Sequence, residues 1–226
     1  SVAYAGGEIL LILAVLGATY YWLSIPITVA ISGLLIILTL SYRQTIFAYP
    51  SGGGAYIVAR DNFGEQAAQV AGAALLVDYI LTVAVSISSG VDQIASMFPV
   101  LFNYKVQIAL LLILFITLMN LRGVKESGRV FAVPTYWFVG MMLLLIGTGL
   151  AKAVFGQLGT VTDVPGVDHT VENLTGFAFV FLLLRAFSSG TTAVTGVEAI
   201  SNGITAFKPP KSRNAAITLM WDASLL

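Results

Sequence analysis

The sequence lacks most of the residues on which catalysis and metal binding in soluble proteins depend. It has no cysteine and a single histidine, His169, which excludes disulfides and thiol catalysis and argues against a zinc site. Charged residues form only 10% of the 226 residues, whereas a soluble domain has about 25%. The 11 basic and 11 acidic residues also cancel, so no basic excess is left for nucleic acid. These deficits exclude a soluble enzyme, a disordered chain and a nucleic-acid-binding protein, and we expect neither catalysis nor a cofactor.

The chain is instead rich in long runs of hydrophobic residues. Hydrophobic residues form 58% of it, and its mean hydropathy is +0.91. Apolar runs of about 20 residues cross a bilayer as helices, and runs such as residues 108–114 do not alternate as barrel strands do. The sequence therefore predicts an all-α, multi-pass protein of the cell membrane whose main partner is the lipid bilayer. The predicted spans cover residues 1–17, 25–42, 66–98, 106–121, 130–155 and 174–207, and a seventh begins near residue 214.

The basic residues between the spans are unevenly distributed. Eight of them lie in every second connection, and the opposite connections contain only Lys105 and Lys152. Since basic loops stay in the cytoplasm, the first span is predicted to run outward. The predicted loops are cytoplasmic at residues 42–65, 122–129 and 208–213 and external at residues 155–173. The eight basic residues are Arg43, Arg60, Arg122, Lys125, Arg129, Lys208, Lys211 and Arg213.

The sixth apolar run, residues 174–207, is too long for one straight helix. It has 34 residues where about 20 are enough to cross a bilayer. Its middle, residues 188–192 (SSGTT), is small and polar, and such residues weaken a helix. Irregular backbone at membrane depth has to line a cavity. We therefore predict a break that opens onto a cavity.

The first eight residues repeat the sequence around this predicted break. Residues 1–8 (SVAYAGGE) align without a gap on residues 191–198 (TTAVTGVE), and both follow hydroxyl-x-Ala-x-x-Gly-x-Glu. Five spans separate the two copies, so the second has inverted topology. Transporters built from inverted repeats bind their substrates at paired broken helices, where unwound carbonyls and a half-helix end suit a cation. Chance similarity between short strings is the alternative.

Asp78 lies deep in the third apolar run, where a charged side chain is costly and indicates function. Thr82 and Ser86 follow it at intervals of four, so all three oxygens lie on one helical face. A carboxylate above two hydroxyls is suited to an alkali cation or a proton. The alternative is that the hydroxyls bond back to their own helix while Asp78 pairs with Arg185.

Four further ionisable residues lie within the apolar runs. Glu8 and Glu198 follow the repeated motifs, and we expect them to shape the broken helices or to carry protons. Arg185 is expected to neutralise one of the acids, and Asp92 lies near the outer end of its span, where water reaches it. Tyr4 lies inside the first motif, and its hydroxyl could either reach the cavity or pack as an aromatic side chain.

Several motifs resemble one transporter family. Residues 50–56 (PSGGGAY) followed by Phe63-Gly64 resemble the P-x-x-G-G-x-Y…F-G signature of the amino acid–polyamine–organocation superfamily. A narrower resemblance is to the KimA-type branch of potassium importers, which are related to the Kup transporters. It rests on residues 1–5 (SVAYA), 78–79 (DY), 120–123 (NLRG) and 184–190 (LRAFSSG).

This resemblance implies a five-plus-five inverted-repeat fold with broken first and sixth helices, and potassium import coupled to protons. The family's potassium ligands carry over onto Tyr4, Asp78, Ser86 and Thr191, with Tyr79, Thr82 and Thr192 as near neighbours. The sequence departs from the family at Gly7, where an acid is common, and the acid that precedes the first motif lies outside it. Residues 1–226 are then an incomplete transporter core, the first repeat and the start of the second. A homodimer would form through parts beyond the chain.

Two other functions compete with potassium import. One is an amino acid permease of the same superfamily, which binds the substrate carboxylate with bare backbone amides. An ionised Asp78 would repel that carboxylate, so the sequence favours a cation. The other is a membrane scaffold without transport activity, and polar residues at matched repeat positions argue against it.

Overall fold

A computed structural model of the chain describes residues 2–159 and 176–226. These residues form nine α-helices and four short 3-10 turns, with no strand among them. The external acids Asp163, Asp168 and Glu172, together with His169, lie outside the described residues. In chain order the helices are α1 (Val2–Ala14), α2 (Ser24–Ala48), α3 (Gly54–Phe63), α4 (Glu65–Met97), α5 (Lys105–Leu121), α6 (Val124–Val154), α7 (Phe177–Gly190), α8 (Val197–Asn202) and α9 (Lys211–Leu225).

Five helical segments of the described chain are long and apolar enough to cross a membrane. A shorter apolar helix, Ala3–Ala14, precedes them. Together they confirm the predicted all-α, multi-pass architecture. The five segments are Tyr20–Ala48, Glu65–Met97, Pro99–Leu121, Gly128–Val154 and Phe177–Asn202.

The last of these segments contains the predicted break. Helix α7 ends at Gly190, and Thr191–Val194 form a 3-10 turn. Thr195 is then extended, and Gly196 has a φ of 99°, a left-handed conformation that glycine adopts at little cost. Helix α8 begins only after that residue. The break is confirmed, and it falls where the hydroxyl-rich sequence weakens the helix.

The two copies of the repeated motif have different local structures. Helix α1 is continuous from Val2 to Ala14, so Gly6 is helical, whereas the equivalent Gly196 is left-handed. Within the described part of the first run there is therefore no break. The shared sequence is compatible with both structures because glycine and alanine tolerate either backbone.

The predicted loop 42–65 is largely helical. Helix α2 continues to Ala48, and α3 occupies Gly54–Phe63. Gly52 and Gly53 precede α3 and Gly54 begins it, and their φ values are 80°, 91° and 44°. Three consecutive left-handed residues require glycine, since a Cβ atom disfavours that conformation. The glycines of the family signature thus make a tight turn into α3.

The chain divides into two compact units, of which the first contains the described residues up to Ser86 and from residue 176 onward. One core cluster of this unit joins α1, α2 and α7, and a second joins α2, α8 and α9. Gly190 allows the close approach in the first cluster. A Cβ atom there would lie 2.6 Å from Ile9 Cδ1 and 2.6 Å from Ile31 Cδ1. The break therefore begins where α7 packs closely against α1 and α2.

The second unit contains residues 87–159 of the described chain, including the end of α4 with α5 and α6. Lys105 Nζ lies 2.7 Å from Asp92 Oδ1 and 4.0 Å from the centroid of the Phe102 ring. Asp92 on α4 thus forms an ion pair with the first residue of α5, and its side chain is 60% exposed, as expected for an acid that water reaches near the end of its span.

Candidate functional site

The acid and hydroxyl groups predicted on one face of the third span lie on α4. Asp78, Thr82 and Ser86 are one helical turn apart, and the two hydroxyl residues are half-buried whereas Asp78 is exposed in this chain. The Tyr4 hydroxyl lies 3.2 Å from Ser86 Oγ in a hydrogen bond in which either oxygen can donate. This contact joins α1 to α4. It brings together two of the four predicted ligands.

The hydroxyls at the break are bonded to the end of α7. Thr191 Oγ1 donates to the Ser188 carbonyl at 2.6 Å, and Thr192 Oγ1 donates to the Ser189 carbonyl at 2.8 Å. Each hydroxyl uses its proton in this way and keeps oxygen lone pairs that can accept or coordinate. No hydrogen bond within the described ranges joins Thr191 to Tyr4 or Asp78, although the turn that begins at Thr191 packs against α1.

Two acids share one electrostatic neighbourhood. Asp78 on α4 and the half-buried Glu198 on α8 interact electrostatically, and both act on the phenols of Tyr42 and Tyr79. Carboxylates of like charge repel each other, and a cation between them removes the repulsion. The described residues contain no group of three or more His, Cys, Asp or Glu side chains placed to hold a metal. Any cation here would be bound by mixed carboxylate, hydroxyl and carbonyl oxygens.

Arg185 is not in direct contact with this pair. It is exposed on α7, and among the described residues it forms no ion pair. Its compensation of one of the acids, Asp78 included, therefore stays a prediction. Glu8 on α1 is half-buried and likewise has no ion-pair partner there, so its proton-coupling or structural role stays a prediction.

Asn202, at the end of α8, joins three parts of the chain and was not among the predicted residues. Its side-chain amide donates to the Tyr79 hydroxyl on α4, and its backbone carbonyl accepts from the Gly53 N–H at 3.2 Å. Its Oδ1 is buried without a hydrogen-bond partner and faces Gly54, where a Cβ atom would lie 1.7 Å away. We call Asn202, Tyr79, Gly53 and Gly54 the Asn202 junction. The junction therefore connects α4, the helix that carries Asp78, to α8, the second half of the broken segment.

A sequence signal for Asn202 was available. It is a polar side chain inside the sixth apolar run, and such residues are functional candidates. The sequence could not predict its hydrogen-bond partner, because Tyr79 lies 123 positions away.

A small cavity lies beside the break in the first unit. Its volume is about 150 Å³, and its walls come from α1, α2 and the 3-10 turn after Gly190. Thr28 and Ser32 supply its hydroxyls, and none of the predicted potassium ligands lines it. The cavity is large enough for a few waters.

Comparison with known proteins places this architecture in a family. The family model described as amino acid permease matches residues 2–226. The chain is 53% identical over all 226 residues to the potassium transporter KimA of Bacillus subtilis (strain 168), and it covers 37% of that protein. It is 28% identical over 206 residues, 83% of this chain, to the chloroplastic cationic amino acid transporter 7 of Arabidopsis thaliana, and covers 34% of it. The chain thus spans just over a third of the length of these two curated relatives.

The match to the family model over nearly the whole chain agrees with the multi-pass helical architecture and with the break in the sixth apolar run. The chain is therefore a multi-pass membrane protein that belongs to the amino acid permease family, within the amino acid–polyamine–organocation superfamily.

Proposed function

We propose that the protein containing this chain imports potassium and that the chain supplies part of its ion site. The observation that carries the proposal is that Asp78 and Glu198 lie near enough to interact electrostatically, while neither acid forms an ion pair with a basic side chain among the described residues. Such a site attracts cations and repels substrates that present a carboxylate. The relative with 53% identity across the whole chain is named a potassium transporter, which supports potassium as the cation.

The proposed ligands are oxygen atoms on three elements. Potassium requires oxygens that replace its hydration shell, and carboxylate, hydroxyl and carbonyl oxygens do so. The Tyr4–Ser86 contact brings one pair of these oxygens together, and the lone pairs of the hydroxyls at the break supply others. The proposed ligands are Tyr4, Asp78, Ser86 and Thr191, with Tyr79, Thr82 and Thr192 as neighbours.

Coupling to protons is the finer part of the proposal. Glu198 interacts electrostatically with Asp78, so protonation of Glu198 removes a negative charge from the neighbourhood of the ion. A change in the protonation of Glu198 would therefore change the affinity for potassium. This linkage makes Glu198 our first candidate for the coupling group, with Glu8 as the second.

The import of a cationic amino acid is a second candidate. The relative with 28% identity is named a cationic amino acid transporter, and two acids would also attract a cationic side chain. An amino acid also carries a carboxylate, which those acids repel. This repulsion favours the inorganic cation.

Potassium uptake in a potassium-transport-deficient host tests the proposal. The protein expressed from its full-length gene should restore growth at low potassium, and Asp78→Asn should abolish this rescue because the site loses a formal charge. Asp92→Asn is the matched control, since it removes an acid from the same helix and should leave uptake within about twofold, because exposed ion pairs contribute only about 0–1 kcal/mol.

The outcomes separate the two candidates. Normal rescue by Asp78→Asn would overturn the site assignment. Uptake of labelled lysine or arginine without potassium uptake would favour the amino acid carrier. Glu198→Gln should retain potassium binding but lose the acidification of the cytoplasm that accompanies uptake, and unchanged acidification would refute the coupling role of Glu198.

A further inference from the structure

An open groove lies between α2 and α9 in the first unit, and nothing in the proposed ion site uses it. Its volume is about 720 Å³. It is lined by both charged and apolar side chains, namely Arg43, Phe47, Arg213, Ala216, Ile217, Met220, Trp221 and Ser224. No acidic residue is among these lining residues, so the groove is positively charged.

Neither arginine of the groove has an ion-pair partner within residues 2–159 and 176–226. Arg43 lies five residues before the end of the apolar span Tyr20–Ala48, and Arg213 lies in the first turn of α9. An arginine inside the edge of an apolar span requires an anion or water, because the bilayer solvates its charge poorly. Two arginines on different helices that line one groove can hold a single anionic group between them.

Along α9, the side chains that line the groove change from charged to apolar. Helix α9 begins at the predicted cytoplasmic loop 208–213, and Trp221 follows Arg213 by eight residues, or about 12 Å of helix. Ile217, Met220 and Trp221 are 48%, 50% and 69% exposed and form an apolar surface along this length. The charge thus lies at the predicted membrane surface and the apolar wall extends toward the bilayer centre. An inner-leaflet phospholipid has the same arrangement of phosphate and acyl chain.

We propose that this groove is a binding site for one anionic phospholipid, with its phosphate between Arg43 and Arg213 and an acyl chain along Ile217, Met220 and Trp221. The bound lipid would neutralise two charges that the described protein leaves unpaired. It would also bridge α2 to α9, two helices of the core that contains the broken segment. The proposal does not depend on which substrate is carried.

Native mass spectrometry of the protein expressed from its full-length gene tests the site, with phosphatidylglycerol and phosphatidylcholine as probes. One phosphatidylglycerol should bind more tightly than phosphatidylcholine. Arg43→Gln combined with Arg213→Gln should weaken that binding by at least about tenfold, since each basic residue near a membrane surface contributes roughly 1 kcal/mol. Arg122→Gln combined with Arg129→Gln is the matched control, because both arginines are exposed, predicted cytoplasmic and outside the groove. An equal loss in both double variants would overturn the site.

Two further measurements distinguish the lipid from other occupants. Phosphatidylglycerol with brominated acyl chains should quench tryptophan fluorescence, and Trp221→Phe should remove a distinct part of that quenching. Quenching that is unchanged in Trp221→Phe would mean that protein covers the groove, and would overturn the proposal. Displacement of the lipid by millimolar inorganic phosphate would also overturn it, because it would reveal a site for phosphate alone.

Discussion

Replacement of Gly54 by alanine should disrupt the Asn202 junction. The new Cβ atom would lie 1.7 Å from Asn202 Oδ1, 2.9 Å from Asn202 Cγ and 3.1 Å from Ser201 Oγ. A Cβ atom does not lie within 3.0 Å of a heavy atom to which it is not bonded, so the Asn202 side chain has to move. Its hydrogen bond to Tyr79 and the packing of α8 on the glycine turn would be lost together.

The magnitude follows from two contributions. The left-handed backbone at Gly54, with a φ of 44°, costs roughly 1–2 kcal/mol for a residue with a Cβ atom. Overpacking of a filled site costs about 1–3 kcal/mol more. The sum, about 2–5 kcal/mol, would lower the midpoint of thermal unfolding by a few degrees, since about 2–4 °C per kcal/mol holds for 150–250 residues and the shift is smaller for a longer protein. Potassium uptake should also fall, because the Asn202 junction holds the helix that carries Asp78 in place.

Gly196→Ala separates the two contributions. Gly196 also has a left-handed φ, 99°, with a ψ of −19°, but a Cβ atom there meets nothing within 4 Å. Its variant should show the backbone cost without the collision. Thermal unfolding of the purified full-length protein measures both variants, and equal shifts in the midpoint would refute the collision.

A double-mutant cycle gives a second check. Asn202→Ala removes the amide that the new Cβ atom strikes, so Gly54→Ala should cost less in the Asn202→Ala background than in the wild type. Free energies that add within about 0.5 kcal/mol would show that Gly54 and Asn202 are not coupled.

The other contacts yield smaller predictions. Tyr4→Phe and Ser86→Ala should each reduce potassium uptake by about tenfold, and the double variant should be little worse than either, because one hydrogen bond joins the two hydroxyls; additive losses in uptake would contradict this. Gly190→Ala should destabilise the protein by about 1–3 kcal/mol in thermal unfolding, because its Cβ atom would lie 2.6 Å from isoleucine side chains of α1 and α2. Gly147→Ala, inside α6 and with nothing within 4 Å, should leave stability unchanged or raise it by up to about 1 kcal/mol, and equal midpoints for the two variants would refute the packing argument.

The local features of the fold were readable because the bilayer imposes strict local rules. A span needs about 20 apolar residues, and hydroxyl and glycine residues in its middle weaken it. These rules located the break after Gly190. They did not predict α3, because this short helix between two spans has no long apolar run. The three glycines before and at its start were recognised only as part of a family signature, and the sequence did not show their left-handed conformation.

The candidate site could likewise be predicted only in part. Asp78, Thr82 and Ser86 could be grouped because helical periodicity relates neighbours in sequence. The partner of Arg185 could not be assigned, because the sequence places its charge in an apolar run without showing which way the side chain faces.

The sequence alone determined the membrane environment, the multi-pass helical architecture and the break, since each depends on residues close together in the chain. Only the tertiary structure decided which of these features meet. It joined Tyr4 to Ser86, placed Asn202 between Tyr79 and the glycine turn, and brought Arg43 and Arg213 to one groove. The physical reason is that helix packing joins positions far apart in the chain, and its register depends on side-chain shapes along whole helices rather than on any local pattern.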